Sequence, residues 1–271
     1  MHPNPAFSTH HFQHGTNELT IAQQGAHLLS WRVDGIEQLY LSPLAATDGS
    51  TPIRGGVPVC FPQFNTRGAL AKHGFARTQA WTEIKGELHP TFELQSNDAT
   101  LALWPHAFKT RLMFQEQGNT LTIHWMVENT GDVALQFTGA LHTYFAVSNI
   151  ASTYLYGLQK RTCWDSLTDQ TFSESSEVLS FSSEFDRVFD APPHPLKIKD
   201  ANRTLSVSQS ASFADTVVWN PGVVKSTQIS DLAINSYQQF LCVEAAQVHK
   251  PITVEAKNVW VGWQKIEVNS S

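Results

Sequence analysis

Residues 120–128 read TLTIHWMVE, and within them Leu121, Ile123, Trp125 and Val127 alternate with Thr120, Thr122, His124, Met126 and Glu128. A period of two sends every second side chain to the same face of an extended chain, so this segment predicts a strand with one face in a core and the other in water. Shorter runs of the same character recur at residues 18–22, 27–33, 92–94, 111–114, 133–137, 203–207, 216–219, 237–243 and 259–263. Turn-forming clusters separate them, including Asp34-Gly35, Asp48-Gly49, the NTGD of residues 129–132 and Pro192-Pro193. Helical spacing is scarce, and residues 223–232, just after Asn220-Pro221, hold the one short helix that the pattern suggests. Many strands without crossover helices predict antiparallel sheets packed face to face, an all-β sandwich.

The chain has 271 residues, a length that all-β sandwiches approach as one unit. It holds no internal repeat, no low-complexity tract and no linker rich enough in Pro, Gly or Ser to divide it. The Ser-rich SESSEVLSFSS of residues 173–183 is the best candidate for an exposed connection, but the strands on its two sides are alike in character. Residues 16–271 are therefore read as a single domain, and residues 1–15 as a terminal segment free to fray.

Composition narrows the function. Eighteen Lys and Arg against 24 Asp and Glu give a net charge of −6, and no basic run is present. Nucleic acids and membrane surfaces need a basic footprint, so neither partner is expected, and an anionic ligand has to be held by a few placed cations. A hydrophobic fraction of 41% with 11% aromatic residues is enough for a sizeable core. No apolar stretch is long enough to span a bilayer, and the histidine-bearing start of the chain has no apolar signal region, so the cytoplasm is the expected compartment. Cys60, Cys163 and Cys242 are odd in number and widely spaced, which fits buried thiols better than disulfides or a zinc knuckle. His10, His11 and His14 lack a carboxylate partner, and no metal or cofactor is called for. The expected state is a monomer.

Several segments carry polar residues where packing alone would not place them. IRGGVPVCFPQF, residues 53–64, joins Arg54 to two glycines and two spaced prolines, a rigid loop in which backbone approaches closely and a cation projects at low ordering cost. HGFAR, residues 73–77, sets His73 and Arg77 around a glycine, and arginine offers a planar fork of donors to an anion. In ALHTYFAV, residues 140–147, His142 and Tyr144 share a parity and face the same side of a strand. FLCVEAA, residues 240–246, leads four apolar residues into Glu244, which predicts a carboxylate emerging from the core at a strand end, with desolvation raising its pKa toward that of a general base. In EFDRVFD, residues 184–190, Asp186 and Arg187 face opposite ways, so one of them is structural. G-x-S-x-G, P-loop, G-x-G-x-x-G and H-E-x-x-H motifs do not occur.

Six motifs in order, IRGGVPVCFPQF, HGFAR, LHTYF, DRVF, VVWNP and CVEAA, spread from residue 53 to residue 246. In these the chain resembles the glucose-6-phosphate 1-epimerases, or hexose-6-phosphate mutarotases, of the aldose 1-epimerase superfamily. The resemblance implies a galactose mutarotase-like β-sandwich whose sugar, a hexose 6-phosphate, lies in a groove of one large sheet. It implies His142 as general acid and Glu244 as general base, standing on opposite flanks of one hollow. It also implies Arg54 and Arg77 at the phosphate, with His73, Gln63 and Asp186 on the ligand side. Departures from the usual pattern fall at Ala146, Asn149 and Gly222, positions that bear on the groove's rim rather than on the chemistry. Anomer exchange needs a proton taken from O1 while one is given to the ring oxygen, so an acid and a base suffice. Two other readings stay open: an epimerase of unphosphorylated aldoses, and a sugar-phosphate-binding protein without turnover.

Overall fold

The computed structural model describes residues 6–201 and 203–269, and every statement below concerns those residues. Two large antiparallel sheets dominate. The nine-stranded sheet runs, edge to edge, through Val178–Ser180, Tyr154–Tyr156, Leu196–Lys199, Thr204–Gln209, Val259–Asn269, Thr120–Asn129, Phe108–Gln117, Thr91–Gln95 and Thr82–Glu83. Its centre carries the expected alternation: Leu121, Ile123, Trp125 and Val127 are fully buried while their neighbours are not. The eight-stranded sheet runs through Gln170–Ser173, Thr162–Asp165, Phe185–Asp190, Asp215–Asn220, Phe240–Val254, Leu135–Leu141 and Val59–Cys60, with Tyr144–Ala146 also paired to Phe240–Val254. A smaller sheet joins Thr9–His14, Asn17–Ala22, His27–Val33 and Ile36–Glu37.

The large sheets pack face to face. Trp125 of one lies 5.7 Å, ring to ring, from Phe137 of the other, and 5.9 Å from Phe61, and one continuous apolar cluster draws on both. This is the antiparallel β-sandwich read from the sequence. Helix is confined to Asp98–Leu103, which the pattern did not reveal, and Gly222–Ser226, the first half of the helix expected at 223–232. No helix is long and apolar enough to cross a membrane.

Three sequence expectations shift. Residues 9–14, assigned to a fraying terminus, pair along their length with Asn17–Ala22. Residues 236–239 form a 3-10 turn, so the strand expected from 237 begins at Phe240. That strand then continues to Val254, and Glu244 lies inside it rather than at its end. The physical reason is that Phe240–Val248 is covered on both sides: one face meets the sandwich core, and the loops around residues 53–78 and 222–240 cover the other. A doubly covered strand reads as an unbroken apolar run, which hides where it stops.

Candidate active site

The site is built on the outer face of the eight-stranded sheet, the face turned away from the core. Alternation selects its members. Glu244 and Cys242 point outward from Phe240–Val254 while Leu241, Val243 and Ala245 join the core. Val217 sits opposite Glu244, and Trp219 opposite both Cys242 and Asp186 in register. The next chain segment breaks between Leu141 and Tyr144. At the break Thr143 turns inward, its hydroxyl donating to Gln264 at 2.5 Å while Gln264 donates to the Val243 carbonyl at 2.9 Å. His142 and Tyr144 are thereby turned out together, as their parity predicts, and their rings stack at 4.9 Å with an 11° tilt. Trp219 meets both edge-on, at 5.9 and 6.1 Å.

His142 Nε2 lies 3.3 Å from Glu244 Oε1. The two groups adjoin on one floor instead of facing each other across the hollow. Burial acts on both in the same sense, against charge. It pushes His142 down to about 3, helped by the positive charges of Arg54, Arg77 and Lys72. It raises the Glu244 carboxyl well above its ordinary value, with the Asp186 charge adding to the effect. Both shifts favour the uncharged forms of the two groups. Glu244 Oε2 is buried with no hydrogen-bond partner.

A pocket of about 210 Å³ opens above this pair. Arg54, Lys72 and Arg77 line it, close enough that the other two depress the Lys72 ammonium, on top of the larger effect of its desolvation. Arg54 is fixed from two sides, Nε donating to Asp231 at 3.1 Å and Nη1 to the Tyr144 hydroxyl at 3.0 Å. Arg77 is anchored by Nη2 on the Lys72 carbonyl at 2.6 Å, and its Nε is buried unpaired. The loop holding Arg54 depends on glycine: at Gly55, where φ is +104°, a Cβ would stand 2.4 Å from the Tyr40 carbonyl oxygen. At Gly74, with φ +69°, it would stand 2.1 Å from that of Phe61. These are the close backbone approaches that the two motifs suggested.

His73 also lines the pocket, its ring 5.6 Å from that of His142. Its Nδ1 accepts from the Asn65 N–H at 3.2 Å, so the neutral ring carries its proton on Nε2, and burial lowers its pKa. Asp186 reaches the pocket, while Arg187 points the other way into ion pairs with Asp165 at 2.8 Å and Glu174 at 3.1 Å.

Gln63 stands apart. Its amide donates to the carbonyls of Asn65 and Leu70 and accepts from the Leu70 N–H, so all its polar atoms close the loop of residues 63–70 and it does not line the pocket. Sequence reasoning missed Lys72, Trp219, Glu184 and Lys225, which do. Lys72 directly precedes HGFAR, and Trp219 belongs to VVWNP, so both were within reach. Gly222, one of the departures, opens the helix that carries Lys225 to the rim.

A polar pocket on one large sheet of such a sandwich is what the resemblance to the mutarotases implies. The sequence profile of the aldose 1-epimerases matches residues 8–267, and the chain belongs to that family. A protein of Cenchrus ciliaris described provisionally as a glucose-6-phosphate 1-epimerase is 35% identical over 254 residues, covering 88% of this chain and 77% of the relative. One of Salmonella typhimurium under the same description is 36% identical over 249 residues, covering 88% and 82%. The crystal structure of a provisionally assigned mutarotase, YeaD, from Salmonella typhimurium superimposes with a TM-score of 0.89 at 32% identity, over 98% of this chain and 91% of that one.

Proposed function

We propose that this protein interconverts the α and β anomers of a hexose 6-phosphate, glucose 6-phosphate being the expected substrate. The observation that carries the reading is the 3.3 Å contact of His142 and Glu244 on the floor of a pocket lined by Arg54, Lys72 and Arg77. O1 and the ring oxygen of a pyranose are bonded to the same carbon. Groups that serve both must therefore be neighbours, which explains why acid and base adjoin.

Glu244 takes the O1 proton as His142 gives one to O5, the ring opens, the aldehyde turns about C1–C2, and the reverse transfers close the other face. For this the imidazole has to carry a proton, which burial first, and the charges of Arg54, Arg77 and Lys72 after it, oppose. A phosphate dianion bound to the three cations cancels their field and raises the proton affinity of the ring. Bidentate hydrogen bonds from guanidinium to phosphate orient the sugar at the same time, with the indole of Trp219 as the pocket's apolar wall.

Magnetisation transfer between the anomeric protons of glucose 6-phosphate, with and without protein, tests this. Exchange well above the spontaneous rate, and slower with unphosphorylated glucose, is the expected result. Equal acceleration of both sugars removes the phosphate role, and no acceleration of either removes the enzyme.

A further inference from the structure

Beside the acid–base pair lies a thiol that anomer exchange does not use. Cys242 alternates with Glu244 on the same strand face, directly opposite Tyr144 and Trp219 in register. The ligand-capable atoms of His142, Cys242 and Glu244 all lie within 4.8 Å of one another, and no other trio of His, Cys, Asp or Glu among the described residues comes together in this way.

We propose that His142, Cys242 and Glu244 form a site for a thiophilic divalent cation such as Zn²⁺, and that an ion seated there stops anomer exchange by tying up the acid and the base. The second half of this proposal rests on the assignment of those two residues as the pair. Nitrogen, thiolate and carboxylate donors suit zinc, whereas magnesium and calcium select oxygen alone. The geometry is close to what zinc needs. Tetrahedral bonds of about 2.0–2.1 Å to nitrogen and oxygen put those atoms roughly 3.3 Å apart, and His142 Nε2 and Glu244 Oε1 are separated by 3.3 Å already. Glu244 Oε2, buried and without a partner, offers a second oxygen to the ion. His142 and Glu244 line the pocket, through which an ion would reach the site.

Zinc binds thiolate, neutral imidazole and carboxylate, so protons on these groups leave as it binds. Because the same nitrogen and oxygen then bind metal, zinc and sugar exclude each other.

Cd²⁺ is the first probe, since its thiolate complex has an ultraviolet charge-transfer band that sulfur-free sites, such as any formed by His10 with Glu83 or His14 with Glu116, cannot give. Titration of the wild-type chain is expected to develop that band at one ion per chain. The band should vanish in Cys242→Ala and persist in Cys60→Ala and Cys163→Ala, with Cys242→Ser as a second variant should the alanine fold poorly. Zn²⁺ should raise the apparent KM for glucose 6-phosphate, with reversal by EDTA. Even an outer partner of a metal ligand is worth about 10–100-fold in affinity, so Cys242→Ala should weaken zinc inhibition by at least that factor while exchanging anomers unaided. A band that survives Cys242→Ala, or equal zinc inhibition of wild type and Cys242→Ala, overturns the site. Bound metal that leaves exchange untouched overturns the inhibition. If the wild-type chain exchanges no anomers at all, the cadmium band still decides the site, and only the proposed function falls.

Discussion

Glu244→Gln removes the proton acceptor and almost nothing else. The carboxyl is 1% exposed and lies mid-strand between core residues, with its Oε1 3.3 Å from His142 Nε2. A glutamine amide occupies the same volume and can donate along the same line, so the stability loss should not exceed the roughly 1–3 kcal/mol of one unsatisfied buried polar group. The amide, however, cannot take a proton from O1. A positioned base is worth about 10²–10⁴-fold, or roughly 3–6 kcal/mol of barrier at about 1.4 kcal/mol per tenfold. The anomeric exchange rate should fall by that factor with KM little changed, as measured by magnetisation transfer on glucose 6-phosphate beside a thermal melt of the same sample. A folded Glu244→Gln protein that exchanges anomers at the wild-type rate would refute the reasoning. So would a rise in KM that accounts for the whole loss, because the carboxyl would then bind sugar instead of moving its proton.

Arg54→Ala, Lys72→Ala and Arg77→Ala should each raise KM for glucose 6-phosphate several-fold or more, and much more than for free glucose; parallel kinetics on the two sugars check this. Gln63→Ala should lower stability by about 1–3 kcal/mol, because the Leu70 N–H and two carbonyls lose their partner, yet keep KM within a few-fold, as calorimetry and kinetics would show. Acid should weaken the fold through His27, which is fully buried, approaches the Gly55 carbonyl at 2.7 Å through Nε2, and is pushed down by burial to about 4. The unfolded chain binds this proton below about 6.5 and the folded chain does not. Stability is therefore complete above that pH and falls at about 1.4 kcal/mol per unit until near 4, a total of roughly 3 kcal/mol. Urea unfolding from pH 7 to 4.5 should show a slope reduced by about one proton in His27→Gln; an unchanged slope would assign the effect elsewhere.

Local chemistry made part of this protein readable in one dimension. The alternation at residues 120–128 fixed a strand and its buried face, because the pleat obliges every second side chain to share a side. The same parity placed His142 with Tyr144, and separated Asp186 from Arg187. The glycines of residues 53–64 and 73–77 marked close backbone approaches that a Cβ forbids. Several short strands, among them Thr162–Asp165 and Leu196–Lys199, escaped notice because four residues carry too little periodicity to rise above a turn.

What lay beyond the sequence was everything set by neighbours distant along the chain. Glu244 looked like the end of a strand, since an acid after apolar residues ordinarily meets water; only the loops that roof the outer face show it to be buried mid-strand. Gln63 has the composition of a ligand contact and the hydrogen bonds of a loop clasp, a difference that lies wholly in where Asn65 and Leu70 fold back. Lys72 acquires its place beside Arg54 and Arg77 because the loops that carry them fold over one face of the sheet, and Cys242 its place beside His142 because strand pairing brings their segments together. A side chain's identity and its facing are local properties, whereas its partners, and the field that moves its proton, arise only when the sheet closes around it.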